Sequence, residues 1–152
     1  MTRKFLEFKD TISGQEGVAY AVINGENHEL FYAKKIEGKV KKEKKEGKTL
    51  GKRGTQNKAI GYTGTGTLVV YYVTPLFTDM ILKYMKTGVD TYFDLLVTND
   101  DPNSAAGKQS VVLKNCNLDE GIIALLDVES EALEQDMEFT FDDADKLESF
   151  IF

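Results

Sequence analysis

Cysteine, histidine, tryptophan and proline are scarce or absent in this chain: there is one Cys, one His, no Trp and two Pro in 152 residues. A single cysteine, Cys116, rules out an intramolecular disulfide and any zinc site built on several thiolates. A single histidine, His28, removes the usual His-rich metal clusters, and no metal or cofactor is expected. The longest apolar run, Leu68 to Val73, is far too short to span a bilayer, so no membrane anchor is expected. Met1-Thr-Arg-Lys is not followed by the apolar stretch of a secretory signal. These absences describe a soluble, cytoplasmic protein.

What is present is globular. The hydrophobic fraction is 41%, with nine Phe and seven Tyr to anchor a core, and the length suits one domain over residues 1–152. A net charge of −6 and a pI near 4.9 argue against generic nucleic-acid binding. The charge is unevenly placed. Lys34 to Lys58 holds eleven of the nineteen basic residues and only Glu37, Glu43 and Glu46 as acids, so it carries +8 and the remainder −14. Residues 119–148 hold twelve acids against Lys146 alone, a net −11.

Patterning predicts a mainly β (α+β) fold: two packed antiparallel sheets, a sandwich or partial barrel, with one flanking helix. Residues 1–14 fit an N-terminal arm or an edge strand. Gly17–Ile23 is apolar and ends in Asn24-Gly25, the pair that favours a type I′ hairpin turn. The return strand is predicted over His28–Lys35. Alternation continues through Ile36, Gly38 and Val40 into the basic stretch, and resumes at Ala59 in AIGYTGTGTLVVYYV. The two limbs form an extended hairpin arm over about residues 34–58. Ten residues per limb would project about 30 Å. The small and polar half, 59–67, contrasts with an apolar half that runs through the core.

Thr74-Pro75 opens a helix over about 75–86, with Leu76, Phe77, Met80, Ile81, Tyr84 and Met85 as its apolar stripe and Gly88 as its stop. Strands are predicted at Tyr92–Thr98, Ser110–Leu118, Ile122–Leu126 and Leu133–Phe141, with Asn99–Gly107 a loop. Asp142–Phe152 reads as an acidic tail.

The motifs that would signal enzymatic chemistry are incomplete. Gly47-Lys48-Thr49 resembles the end of a phosphate loop, but the leading Gly is replaced by Lys42. Gly61, Gly64 and Gly66 miss the dinucleotide-binding spacing and lead into a strand; strand glycines that permit close approach are the better reading. His28 has no nucleophile constellation near it. Cys116 sits in an alternating strand and reads as a packed residue. The acids lack calcium-loop spacing. Nothing here indicates an enzyme. The basic arm is left with three readings: a solvated loop, a phosphate contact, or a contact between copies, the arm of one meeting the acidic region of another. The last is favoured because one chain supplies both partners.

Several stretches carry a resemblance in order. Thr11-Ile-Ser-Gly-Gln-Glu-Gly17, the basic arm, Gly64-Thr-Gly66-Thr, the Thr-Pro helix and Asp127-Val-Glu-Ser-Glu-Ala-Leu-Glu with Phe139-Thr-Phe141-Asp resemble the tail tube proteins of contractile phage tails. The PBSX-type phage-like elements and phage-tail-like bacteriocins are the nearest branch, and about residues 11–145 are covered. The resemblance implies a non-enzymatic subunit that forms stacked hexameric rings. Inner strands would join into one barrel around a lumen, inside a sheath. Its implied partners are further copies of itself, the tail sheath protein, and the baseplate and tail terminator proteins, with DNA passing through the lumen. It implies assembly in the bacterial cytoplasm, then residence in a virion tail or released particle. Within it, Lys41, Lys42, Lys44, Lys45, Lys48, Lys52 and Arg53 are the expected inter-ring contacts. Glu129, Glu131, Glu134, Asp136, Glu138, Asp142, Asp143 and Asp145 are their expected acidic partners. The alternative is a nucleic-acid-binding accessory module of a mobile element that uses the basic arm.

Overall fold

The computed structural model describes residues 4–152. Residues 1–3, part of the predicted N-terminal arm or strand, lie outside the described residues. From residue 4 onward that segment forms no strand: a short 3-10 turn at Phe8–Asp10 is followed by bends up to β1.

Eight strands and one helix follow: β1 Gly17–Ile23, β2 Glu26–Glu29, β3 Ala33–Gly47, β4 Gln56–Tyr71, α1 Leu76–Thr87, β5 Phe93–Asp100, β6 Lys108–Leu118, β7 Glu134–Phe141 and β8 Asp143–Glu148. The strands pair antiparallel in the order β2-β1-β5-β6-β7-β4-β3, with β8 beside β6. β2 and β3 end the path without pairing to each other, so the sheet is open. Its two halves face one core, in which Ala21 and Leu95 from one half meet Leu68, Val70, Met137 and Phe139 from the other. The mainly β, two-layered architecture with one helix is the one the sequence predicts.

Local chemistry explains the first hairpin. Asn24 and Gly25 both take positive φ, 52° and 80°, the requirement of the type I′ turn. The return strand is shorter than predicted, Glu26–Glu29 rather than 28–35. The chain leaves β1 after the Leu30 amide donates to the Ala19 carbonyl, and Ala33 begins β3 in the other half. Leu30 is buried at this crossing and Phe31 is exposed.

α1 carries Thr74 at its start, where the hydroxyl oxygen accepts from the Leu76 amide at 3.3 Å, and it ends where the Gly88 amide returns to the Tyr84 carbonyl. Only Phe77 and Met80 are buried. Tyr84 and Met85, predicted in the buried stripe, are exposed, because the core-facing contact ends before the last turn.

Alternation along β7 buries Gln135, Met137, Phe139 and Phe141 and turns Asp136 and Glu138 outward. Gln135 places an amide where the pattern calls for a hydrophobe. Opposite them, Gly64 and Gly66 of β4 are glycine for lack of room. A Cβ on Gly66 would meet the Phe139 ring and the Glu37 carbonyl, and one on Gly64 would lie 2.6 Å from the Phe141 carbonyl. The Thr-Gly alternation thus lets two phenyl rings approach the β4 backbone closely.

Two further predicted elements differ. Ile122–Leu126 is irregular, held to the helix by the Thr78 hydroxyl, which donates to the Ile122 carbonyl, and by Gly121 against Ile81. The predicted acidic tail is in part a strand. After a corner at Asp142, whose amide donates to the Lys114 carbonyl, β8 continues along β6 with Asp143 opposite Lys114 and Glu148 opposite Ser110. Lys114 pairs with Asp145, and Lys108 with Glu148 at 3.5 Å. That corner positions the arm: β4 pairs with β7 only as far as Gly64 and Phe141, and beyond this point β8 follows β6 while β3 and β4 depart together.

Candidate assembly interface

The arm is a two-stranded ribbon. Past the Val40–Gly64 pair, seven further pairs run from Lys41–Thr63 to Gly47–Gln56, and every residue in them is exposed. Seven pairs correspond to about 23 Å of ribbon beyond the body. At the base the Tyr62 hydroxyl donates to the Asp142 carbonyl at 2.7 Å. A register shift lets Ile60 bulge between Gly61 and Ala59, opposite Glu43 and Lys44, an irregularity that adds twist to a ribbon. The tip is ordered by the Lys52 amide donating to the Thr49 carbonyl, and by the Gln56 side-chain amide donating 2.7 Å to the Thr49 hydroxyl.

Lys41, Lys42, Lys44 and Lys45 lie on the ribbon, and Lys48, Lys52 and Arg53 on the tip. None of the seven makes an ion pair among the described residues. Cations at the start of β3 differ. Lys34 pairs with Glu134 at 2.7 Å, and this hydrogen bond and its charge raise the Lys34 pKa. Glu37 accepts from Lys39 at 3.1 Å and has Lys35 at 3.8 Å, which lowers its pKa. The cations at the start of β3 are therefore paired, while those along the arm are not, among the described residues.

The acids do not gather around the arm. Glu129 and Glu131 lie in the 119–133 loop, where the Glu129 amide donates to the Asp127 carboxylate at 3.1 Å. Glu134, Asp136 and Glu138 line the outward side of β7. Glu134 is opposite Tyr71, at the other end of β4 from the arm. Asp142 and Asp143 stand at the arm's base, and Asp145 is engaged by Lys114. The predicted acidic surface is a row along the outward side of β7, from the 119–133 loop to the arm's base, rather than a cluster around the arm.

Sequence reasoning missed a cleft of about 560 Å³ at the end of β3 remote from the arm. Its walls are Gly14–Ala19 before and within β1, Glu29–Phe31 at the crossing, Ala33–Ile36 of β3 and Val97–Asn99 of β5. It arises where the sheet stays open between β1 and β3. It has no sequence signature, because its walls come from four separate stretches.

A family model described as phage tail tube protein matches residues 4–148. The chain belongs to the phage tail tube protein family. It is 42% identical over 140 residues, 92% of each chain, to the phage-like element PBSX protein XkdM of Bacillus subtilis (strain 168). Among solved structures it is similar to a chain of the anti-feeding prophage baseplate, 6-fold symmetrised, with TM-score 0.66 and 11% identity over 97% of each chain. It is also similar to a chain of the sheath–tube complex of an extracellular contractile injection system, PVC, in the extended state. There the TM-score is 0.65 at 12% identity, over 93% of this chain and 94% of that one. At such identities the two structures speak for the fold. This tail tube protein is a structural subunit of a phage or phage-like tail.

Proposed function

We propose that the subunit closes into hexameric rings and that the rings stack into the inner tube of a contractile tail. The observation that carries this reading is the cationic ribbon, without an ion-pair partner among the described residues, at one end of strands whose other end is entered by the loop bearing Glu129 and Glu131. A surface that protrudes at one end and is complemented at the other repeats head to tail. Within a ring, the outer edge of β3 is unpaired along the body and invites a strand from a neighbour, which removes an aggregation-prone edge. The likeness to chains of a six-fold baseplate, a sheath–tube complex and a tube-terminating cap supports contacts with sheath, baseplate and terminator proteins. The subunit is non-enzymatic, assembles in the bacterial cytoplasm, and encloses a lumen wide enough for a passing cargo such as DNA.

Lys41, Lys42, Lys44, Lys45, Lys48, Lys52 and Arg53 bridge successive rings, the ribbon cations reaching Glu129, Glu131 and Asp136 of the next ring, while Glu134 is held by Lys34 of its own chain. Asp142, Asp143 and Asp145 border the arm's origin. Exposed pairs are worth about 0.2–1 kcal/mol each, so their work is register and steering rather than bulk stability. Electron microscopy of purified protein tests the reading directly, with tubes expected. The Lys41→Glu, Lys44→Glu, Lys45→Glu triple variant should yield folded subunits that fail to lengthen into tubes. Full-length tubes from that variant would remove the arm from the account. A permanently monomeric protein with steeply salt-dependent DNA affinity would replace it with phosphate binding.

A further inference from the structure

Among the described residues Leu50 is the most exposed large hydrophobic residue, at 105% of its reference area. It does not lie on a disordered loop. The Thr49–Lys52 turn is closed by the Lys52 amide and braced by Gln56, so the side chain is held at the far end of a ribbon that buries nothing. A solitary apolar side chain fixed in this way has no role in the subunit's own core.

We infer that Leu50 is a plug that seats in the β1–β3 cleft of a second copy, between Val18 and Ile36. The inference rests on the inter-ring reading of the arm and gives that contact its apolar anchor.

Placement and chemistry agree. The arm leaves the C-terminal end of β3, and the cleft opens beside its N-terminal end. Copies displaced along the strand direction therefore bring the tip of one toward the cleft of the next. The cleft offers Val18, Leu30, Ile36 and Val97 as apolar wall. Its volume of about 560 Å³ exceeds what one leucine needs, leaving room for the aliphatic stems beside it. Charge matches as well. Lys34 and Lys35 at the rim are already engaged by Glu134 and Glu37, while Glu16 and Glu29 have no ion-pair partner among the described residues. The cations flanking Leu50, namely Lys48, Lys52 and Arg53, equally have none. An apolar centre within a ring of matched charge is the arrangement in which one buried residue dominates a contact.

Leu50 is exposed, so replacing it leaves the fold intact. Leu50→Asp should raise the subunit concentration needed for tube growth by about tenfold or more. Leu50→Met should restore growth. Position is read separately by oxidising tubes of the Leu50→Cys/Val18→Cys and Leu50→Cys/Ile36→Cys variants, with buried Cys116 silent. A ladder of covalent oligomers on non-reducing gels is expected from at least one pair. Normal tubes from Leu50→Asp, or cross-linking of Leu50→Cys to Val128→Cys in place of the cleft positions, would overturn the plug while leaving the tube itself standing. If the unmodified protein forms no tubes, the reading beneath it fails instead.

Discussion

Cys116 shows how completely a polar-capable side chain can be taken out of chemistry by its surroundings. It is fully buried, its thiol donates to the Leu113 carbonyl at 3.4 Å, and burial above all pushes its pKa from 9.0 up to about 12. Thiolate is the reactive form, so the folded protein should resist alkylation by iodoacetamide at pH 8 and react once unfolded in urea. The same shift has a consequence for stability. Above pH 9.0 the unfolded thiol releases a proton that the folded one keeps, so stability present below pH 9 is progressively lost as pH rises toward 12. Alkaline pH acts on more than one kind of side chain. The contribution of Cys116 is therefore the difference between urea midpoints of the native chain and of Cys116→Ala from pH 8 to 11. The native chain should lose stability more steeply; parallel curves would show that the buried thiol is not the cause.

Among the elements, the arm is separable from the body. Residues 41–63 place no side chain in the core, and among the described residues their one side-chain hydrogen bond to the body is Tyr62 to Asp142. Val40 and Gly64 already face each other across the ladder, so an Asn-Gly turn joining them keeps the strand register. The shortened protein should fold with native circular dichroism and lose only about 1 kcal/mol, the worth of a single hydrogen bond. It should form no stacked tubes. Loss of cooperative unfolding would show that the ribbon is part of the fold. Sequence made the arm legible because its signals are local: a charge run, glycines, and alternation on both flanks. The Asn24-Gly25 turn, the Thr74-Pro75 helix start and the Met137–Phe141 alternation were legible for the same reason. β8 was not, because Asp143–Glu148 lacks apolar alternation and forms a strand to satisfy the edge of β6, with Lys114 and Lys108 meeting its acids. Ile122–Leu126 failed in the opposite sense, being apolar enough for a strand but anchored instead to α1. The charged residues of the candidate interface were visible in the sequence as charge runs. Their placement along β7 and at the arm, and the cleft, depend on which distant strands become neighbours.

At the scale of the whole molecule two kinds of contact are available, and they differ in what salt does to them. Edge pairing along β3 rests on backbone hydrogen bonds, which ions barely screen. In the proposed stacking the arm, which carries +6 over residues 41–63 with eight basic residues and two acids, faces acids on the next copy, across exposed surfaces whose attraction is screened beyond about 10 Å at 0.1 M salt and about 3 Å at 1 M. Rings should therefore persist where stacking slows. Raising NaCl from about 0.05 M to about 1 M should shorten tubes and slow the growth of light scattering several-fold. The melting temperature of the folded subunit, whose matched pairs are few and exposed, should move little. The Leu50 contact predicts a further distinction. Apolar burial is strengthened by excluded salts such as sulfate, so sulfate should recover part of the length that chloride at the same ionic strength removes. Equal tube lengths at every salt concentration would mean that backbone pairing alone holds successive rings together and that the charge carried by the arm serves another purpose.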